Sequence, residues 1–501
     1  MPFEFNGFDF IPLNIRTLVW TVYVLYMIIS AIYIISENRS PSVTMAWILS
    51  FLALPVVGVL IYIFFGRDIH FFSHHLRLIA QNADSDLLQR LRPIYARQAQ
   101  IATNIRNDPA HKNAQRRMVE MGRRTGLSTL SLGDHVEILQ DASEKYPRLE
   151  ADVKAAKDSI HMEYFIWQAD PYMQKFGDLL IRKAQEGVEV RILFDTAGSH
   201  FLLWKNRRYL NRLRRGGVKI YPYLNFFGLF RLHTVNYRNH RKIAVIDGKI
   251  GYTGGMNMGE EQIIGAKPYR GWRDTHLRVT GDTVAILQGI FATSWYNTTK
   301  EKLIDLRYFP ESDKPPKDPI PVQIVLSGPD SEWHAIQQQY FLMINSAQEH
   351  VYIQSPFFIP NSSISEALKV AALSGVDVKM MFAPRDTGGP IANWAANTYF
   401  LEMVEARAKV YLYQPAYLHA KTLSIDSSLC SIGTANMDIR SFNINYEMNA
   451  VLYDANKTKE LEAAFEKDLE GCIPFDAKTY RARPHWIRFR DSLARLLSPL
   501  L

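Results

Sequence analysis

The stretch NHRKIAVIDG, Asn239 to Gly248, reads as a short strand running into an Asp-Gly turn, yet it carries two bases and an acid: His240, Lys242 and Asp247. Further on, LHAKTLSIDS, Leu418 to Ser427, repeats the spacing as His419, Lys421 and Asp426. The agreement extends past these three positions. GGMNMG, Gly254 to Gly259, follows the first copy and GTANMD, Gly433 to Asp438, follows the second at the same distance, so Asn257 and Asn436 fall in register with their histidines. Such fidelity indicates an internal duplication.

The flanking sequence repeats as well. In the first half DSIHMEYFIW reads as a strand, FGDLLIRKAQEG as a helix ending on Gly187, VEVRILFD as a second strand and VKIYPY as a third. EHVYIQSPFF, SISEALKVAALSG, VDVKMMFA and KVYLYQ match them in the second half. Each half is a strand-helix-strand unit with a mainly buried sheet, which predicts an α/β fold with both sheet faces covered.

Residues two apart on a strand project from one face, so His240 points with Lys242 and His419 with Lys421. Asp247 and Asp426 sit at odd offsets, at the turns, where they are expected to hold the loop by hydrogen bonds rather than touch substrate. Neutral imidazole is a nucleophile near neutral pH, and a Lys ammonium and an Asn amide are donors suited to phosphoryl oxygens. Two such sets facing each other supply one imidazole to attack phosphorus and one imidazolium to protonate the leaving alkoxide. The candidate catalytic set is the two motifs, His240, Lys242 and Asp247 with His419, Lys421 and Asp426, in which the aspartates support the loops, and Lys242, Lys421, Asn257 and Asn436 are the phosphate donors. One carboxylate per motif, pointing away, does not make the oxygen cluster that hard cations prefer, so neither a metal nor another cofactor is expected.

The 501 residues are 47% hydrophobic and 22% charged, enough for a large core and more than one domain. A formal charge of +8 favours an anionic partner, nucleic acid or acidic lipid. Cys430 and Cys472 are the two cysteines; they read as small buried hydrophobes and fit a reducing compartment.

TLVWTVYVLYMIISAIYIIS, Thr17 to Ser36, is uncharged and long enough to cross a bilayer as a helix. SVTMAWILSFLALPVVGVLIYIFFG, Ser42 to Gly66, follows after a polar link, and the pair predicts a transmembrane hairpin with a kink at Pro55. The hairpin tip offers only Arg39, whereas Arg67, Arg77, Arg90, Arg92 and Arg97 follow the second span, which places both termini and the soluble body on the cytoplasmic side. His70, His74 and His75 read as a polar interfacial collar. The next stretch, to about residue 130, has helical rhythm and reads as a connector lying near the membrane.

At its duplicated motifs the chain resembles the phospholipase D superfamily, whose members carry two His-x-Lys-x4-Asp motifs; the likeness covers about residues 130 to 480. Within it, the paired N-terminal spans and the segments NYRNHRKIAVIDG, TGGMNMGEE, WRDTHLRVTG, YIQSPFFIPN and HAKTLSIDSSLCSIGTANMDIRSFNINYE are similar to the bacterial cardiolipin synthase subfamily. The resemblance implies His240 as nucleophile through a phosphohistidine, His419 as general acid, and two supporting acids that each orient the histidine of the other motif, Glu447 for His240 and Asp274 for His419. It implies a duplicated sandwich of two similar β-sheet and helix halves with the active site at their interface. Residues 1–66 are then the hairpin, 67–130 a helical juxtamembrane connector, 131–310 and 311–480 the two halves, and 481–501 an amphipathic C-terminal segment.

The activity so implied is transfer of a phosphatidyl group from one phosphatidylglycerol to another, giving cardiolipin and glycerol, at a bacterial inner membrane rich in anionic lipid. Hydrolysis with water as acceptor, and transfer to other alcohols, use the same chemistry. A nucleic-acid phosphodiesterase of this fold is disfavoured, because such an enzyme needs no bilayer anchor and the sequence lacks the interleaved aromatic and basic residues of single-strand binding. The apolar segment Leu224 to His233 is open to lipid or to burial. So is the last segment, with Trp486, Phe489, Leu493, Leu496 and Leu497 near one side of a helix, which fits the membrane surface or the enzyme's own body.

Overall fold

The computed structural model of the chain describes residues 13–37, 41–54, 57–58, 62, 92–93, 95–105, 107, 113–125, 128–223, 236–265, 268–310, 318–384 and 389–498. His70, His74, His75, Pro55, Arg67, Arg77, Arg90 and the segment Leu224 to His233 lie outside the described residues. The chain divides into two compact units, an amino-terminal one and a large one holding both motifs.

In the amino-terminal unit, helices Leu13–Ser36 and Pro41–Ala53 pack through Ile34, Phe51 and Tyr62, with Trp47 edge-on to Tyr62 at 5.0 Å. Among the described residues no helix is long and apolar enough to cross a membrane. Helix Leu13–Ser36 has 24 residues, a rise of roughly 36 Å.

Among the described residues the large unit holds 19 strands: β1 Ser128–Leu139, β2 Ser159–Tyr164, β3 Glu189–Asp195, β4 Lys219–Tyr223, β5 Ile243–Ile246, β6 Ile250–Gly254, β7 Trp272–Arg273, β8 His276–Gly281, β9 Ile320–Ser327, β10 His350–Ser355, β11 Phe358–Ile359, β12 Asp377–Phe382, β13 Lys409–Tyr413, β14 Tyr417–Leu418, β15 Thr422–Ile425, β16 Leu429–Gly433, β17 Met437–Asp438, β18 Glu447–Leu452 and β19 Cys472–Pro474. Fifteen form one sheet in the order β19-β13-β12-β10-β15-β16-β18-β9-β1-β8-β6-β5-β2-β3-β4. Read outward from the centre, β1-β8-β6-β5-β2-β3-β4 mirrors β9-β18-β16-β15-β10-β12-β13 strand for strand. The duplication in sequence is thus a duplication in topology.

The two halves meet where β1 pairs antiparallel with β9, Ser128 opposite Val325. The expected sandwich is realised with its two sheets hydrogen-bonded into one ladder. Val136, Ile138, Leu277 and Val279 of the first half share a core with Ile432, Met448 and Ala450 of the second. Outer helices close the far faces, Ala142–Ala155 and Pro171–Gln185 over β2 and β3, Ala335–Ser346 and Ser362–Leu373 over β10 and β12. Burial of these apolar faces, at roughly 25 cal/mol per Å² of apolar surface, is the main force holding the layers.

Local signals agree in both halves. Asp170 caps Pro171–Gln185 by accepting from Met173 N at 2.9 Å, and Asn361 caps Ser362–Leu373 by accepting from Ile364 N at 3.1 Å. Gly187 and Gly375 follow these helices at φ 94° and 98°, a conformation open to glycine without a Cβ penalty, and turn the chain into β3 and β12. The helix Asn113–Thr125, within the expected connector, buries Met118 and Val119 against Ile336, Tyr340 and Met343. Its apolar stripe completes the second half's core.

Candidate active site

Each histidine stands just before its strand rather than within it. His240 precedes β5 and His419 precedes β15, because the extended backbone at both points pairs across to the opposite half. Asn239 bridges to Tyr446 and His240 N donates to Tyr446 O at 2.9 Å. β14 pairs with β7, and His419 N donates to Arg273 O at 2.7 Å. The side chains continue the exchange. His240 Nδ1 lies 3.0 Å from the Glu447 carboxylate and 3.0 Å from Thr434 O, while His419 Nδ1 lies 2.6 Å from Asp274 Oδ2. Glu447 and Asp274 are fully buried, and each is one residue beyond the backbone carbonyl that its histidine's N–H engages.

Behind the imidazoles sit the lysines. Lys242 Nζ donates to His240 O at 2.7 Å, and Lys421 Nζ donates likewise to His419 O. Exposure sorts their roles: the histidines keep 7% and 9%, the lysines 0% and 1%. The imidazoles therefore front the opening and the ammoniums back it.

Burial sets the charges. Loss of solvent pushes the Lys242 ammonium down to about 7 and Lys421 to about 8. It also lowers His240, and together with the neighbouring Lys421 charge it takes His419 down to about 3. Burial works against ionisation of Glu447 and Asp274, but the facing histidines and lysines outweigh it and hold both carboxyls below their usual range. Lys421 acts on His240, Lys242 acts on His419, and Lys421 acts on Lys242, so the two motifs share one electrostatic site.

Asp247 and Asp426 lie elsewhere. Asp247 accepts from the backbone N–H groups of Lys157, Asp158 and Ser159 at 2.8 to 2.9 Å. Asp426 accepts from those of Gln348, Glu349 and His350 at 2.8 to 3.1 Å. Both stand in the hairpin turn at positive φ, 51° and 50°, and tie it to the start of β2 or β10. Both carboxylates thus contact the scaffold, as their odd offsets from the histidines lead one to expect.

Asn257 Oδ1 accepts from Ile166 N at 3.2 Å. Asn436 is the more open of the two asparagines, with an Oδ1 that has no partner among the described residues. The first glycine-rich loop has a steric reason, since a Cβ on Gly255 would stand 2.0 Å from Asp274 Oδ1.

Several neighbours escape sequence reading. Phe165 is edge-on to His240 at 4.9 Å, and Trp272 and Tyr417 wall His419 at 5.2 and 5.8 Å. Lys145, fully buried, donates to Met256 O at 3.2 Å beneath the Asn257 loop, and His276 lies buried close enough to feel its charge. Their one visible signal is position: Trp272 is two residues before Asp274 and Tyr417 two before His419.

Among the described residues no group of three His, Cys, Asp or Glu side chains converges as a metal site. Two imidazoles, two carboxylates and two ammoniums make a constellation able to form and break a bond at a phosphodiester phosphorus.

A family model described as cardiolipin synthase, phospholipase D-like domain, matches residues 149–266 and 340–469, and one described as phospholipase D-nuclease N-terminal matches 17–67. A cardiolipin synthase of Geobacillus sp. (strain WCH70) is 39% identical over 466 residues, covering 93% of this chain and 90% of that one. The major cardiolipin synthase of Bacillus subtilis (strain 168) is 36% identical over 489 residues, covering 96% and 98%. In fold, the chain is similar to the crystal structure of phosphatidylserine synthase from Haemophilus influenzae Rd KW20, with a TM-score of 0.59, 14% identity, and 77% of this chain and 100% of that chain covered.

Proposed function

The chain belongs to the cardiolipin synthase family built on the phospholipase D-like domain, and from that premise we propose that it makes cardiolipin and glycerol from two phosphatidylglycerol molecules. The observation that carries the mechanism is the exchange of acids across the halves, Glu447 on His240 and Asp274 on His419.

His240 Nε2 attacks phosphorus, the bond from phosphorus to the glycerol oxygen breaks, and His419 gives that oxygen its proton. The hydroxyl of a second phosphatidylglycerol then gives a proton back to His419 and takes the phosphatidyl group from His240. In the free enzyme burial keeps both imidazoles neutral. An entering phosphodiester anion offsets the Lys242 and Lys421 charges that help hold His419 down, so His419 takes up a proton from water as substrate binds, and Asp274 stabilises the imidazolium that then donates it. Lys242 and Lys421 each spend one donor on a histidine carbonyl and keep two for phosphoryl oxygens. Asn257 and Asn436 supply amide donors from the two loops.

The amino-terminal hairpin is assigned to the bilayer. Its first helix has 24 residues against a hydrocarbon layer of about 30 Å, and Leu18, Trp20, Ile29 and Ile32 are all more than half exposed. The basic flank places the catalytic unit on the cytoplasmic face. The halves at 131–310 and 311–480 form the working body, with 67–130 linking it to the hairpin.

The test is incubation of the purified chain with phosphatidylglycerol in detergent and mass spectrometry of the lipids. Cardiolipin with glycerol is the expected result; phosphatidic acid alone would assign the chain to hydrolysis instead.

A further inference from the structure

Helix His485–Leu496, near the end of the chain, is seated on the catalytic body by its polar side. Asp491, with no exposure, accepts from Asn397 Nδ2 at 3.2 Å; Arg495 pairs with Glu402; the Arg490 guanidinium lies 4.2 Å from the centre of the Trp394 ring. Ala494 is buried in the same contact, and Ser498 lies 3.2 Å from the Tyr399 hydroxyl.

The apolar side faces outward. Trp486 is 65% exposed, Phe489 69%, Leu493 54%, Leu496 74% and Leu497 41%. With about 100° of rotation per residue, the five occupy an arc of roughly 100°. A helix on a globular surface ordinarily buries such a stripe and exposes its charges; here the arrangement is inverted. Single exposed apolar residues are commonplace, whereas a contiguous stripe marks a surface that something covers.

Charge selects the occupant. Between Ala477 and Ser498 the chain carries Lys478, Arg481, Arg483, Arg488, Arg490 and Arg495 against one acid, Asp491. Arg483 and Arg488 have no carboxylate partner among the described residues. Aromatic and leucine side chains rimmed by arginine match the boundary between acyl chains and anionic headgroups. We propose that this face of helix His485–Leu496 docks the catalytic body onto an anionic bilayer surface, with Trp486, Phe489, Leu493 and Leu496 entering the acyl boundary and Arg483 and Arg488 meeting lipid phosphates. The site is separate from the histidine chemistry, so its test stands or falls independently of the activity.

The full chain is reconstituted in nanodiscs with acyl-chain-brominated lipid. A bimane label is carried by Leu493→Cys in a Cys472→Ser background, Cys430 being buried. Lys459→Cys, an exposed position on another helix, is the comparison, and Leu496→Cys repeats the measurement should the first label disturb the helix. In phosphatidylglycerol discs brominated lipid is expected to at least halve emission at 493 and 496 and to leave 459 largely unchanged. Replacing phosphatidylglycerol by phosphatidylcholine is expected to weaken the quenching. Quenching at 493 and 496 no greater than at 459 overturns the proposal. Emission at 493 that follows dilution of the chain but ignores brominated lipid also overturns it and assigns the face to a second copy.

Discussion

Asp274 and His419 are joined at 2.6 Å although 145 residues separate them and they belong to opposite halves of the duplication. His240 and Glu447 repeat the relationship in the other direction. Neither half holds a complete histidine and acid pair, so the site exists only when the halves are assembled.

That exchange predicts the cost of losing an acid. Asp274→Asn and Glu447→Gln keep the shape but remove the charge that stabilises an imidazolium, and each is expected to lower kcat by roughly 10² to 10⁴-fold, the usual worth of an acid-base group. Steady-state transfer assays with circular dichroism as a folding control check this; two folded variants with kcat near that of the parent would remove the acids from the mechanism.

The histidine roles separate on trapping. With phosphatidylglycerol labelled at phosphorus, His240→Ala is expected to take up no label, while His419→Ala retains a covalent adduct, because its leaving group lacks only a proton donor. Acid-stable controls and mass spectrometry of the labelled peptide read the result. Label on the first variant and none on the second would exchange the two assignments.

The lysines set the alkaline limb. With Lys242 at about 7 and Lys421 at about 8, the free site loses positive charge as pH rises through that window, and kcat/KM for an anionic lipid is expected to fall across it. Stability moves oppositely. Each lysine titrates lower when folded than its usual 10.5, so between its folded and unfolded values the unfolded chain binds more protons and folding gains stability with rising pH. A pH series of kcat/KM beside Tm measures both; Lys421→Met is expected to remove the later part of the fall.

The turn aspartates should weaken the scaffold first. Asp247→Asn turns an amide NH₂ toward backbone donors that the carboxylate now satisfies, at an expected cost of about 1 to 3 kcal/mol. Tm should drop by several degrees, and kcat of the folded fraction should fall far less than for Asp274→Asn. A kcat loss as large as that of Asp274→Asn, with Tm unchanged, would restore Asp247 to the catalytic set.

Much of the site was legible because it repeats. His240, Lys242 and Asn257 recur as His419, Lys421 and Asn436 at identical offsets, and the turn at Asp247 announces itself through its glycine. Glu447 and Asp274 carried no such spacing; they were reachable only through family likeness. Phe165 sits in a stretch that reads as an ordinary strand, and Lys145, Trp272 and Tyr417 carry no local signal of the site. Their approach to the histidines depends on which strands pair, information no local pattern holds.

By itself the sequence determined the repeated strands and helices, the turns that punctuate them, and the two sets of bases, since these depend on periodicity and near-neighbour chemistry. The tertiary structure decided which acid serves which histidine and which side of the last helix meets the body. Both follow from long-range pairing: β1 against β9 brings the halves together and delivers each acid to the other half's histidine. The buried contacts of Asp491 and Arg495 fix the terminal helix with its apolar stripe outward, where amphipathicity alone leaves both orientations open.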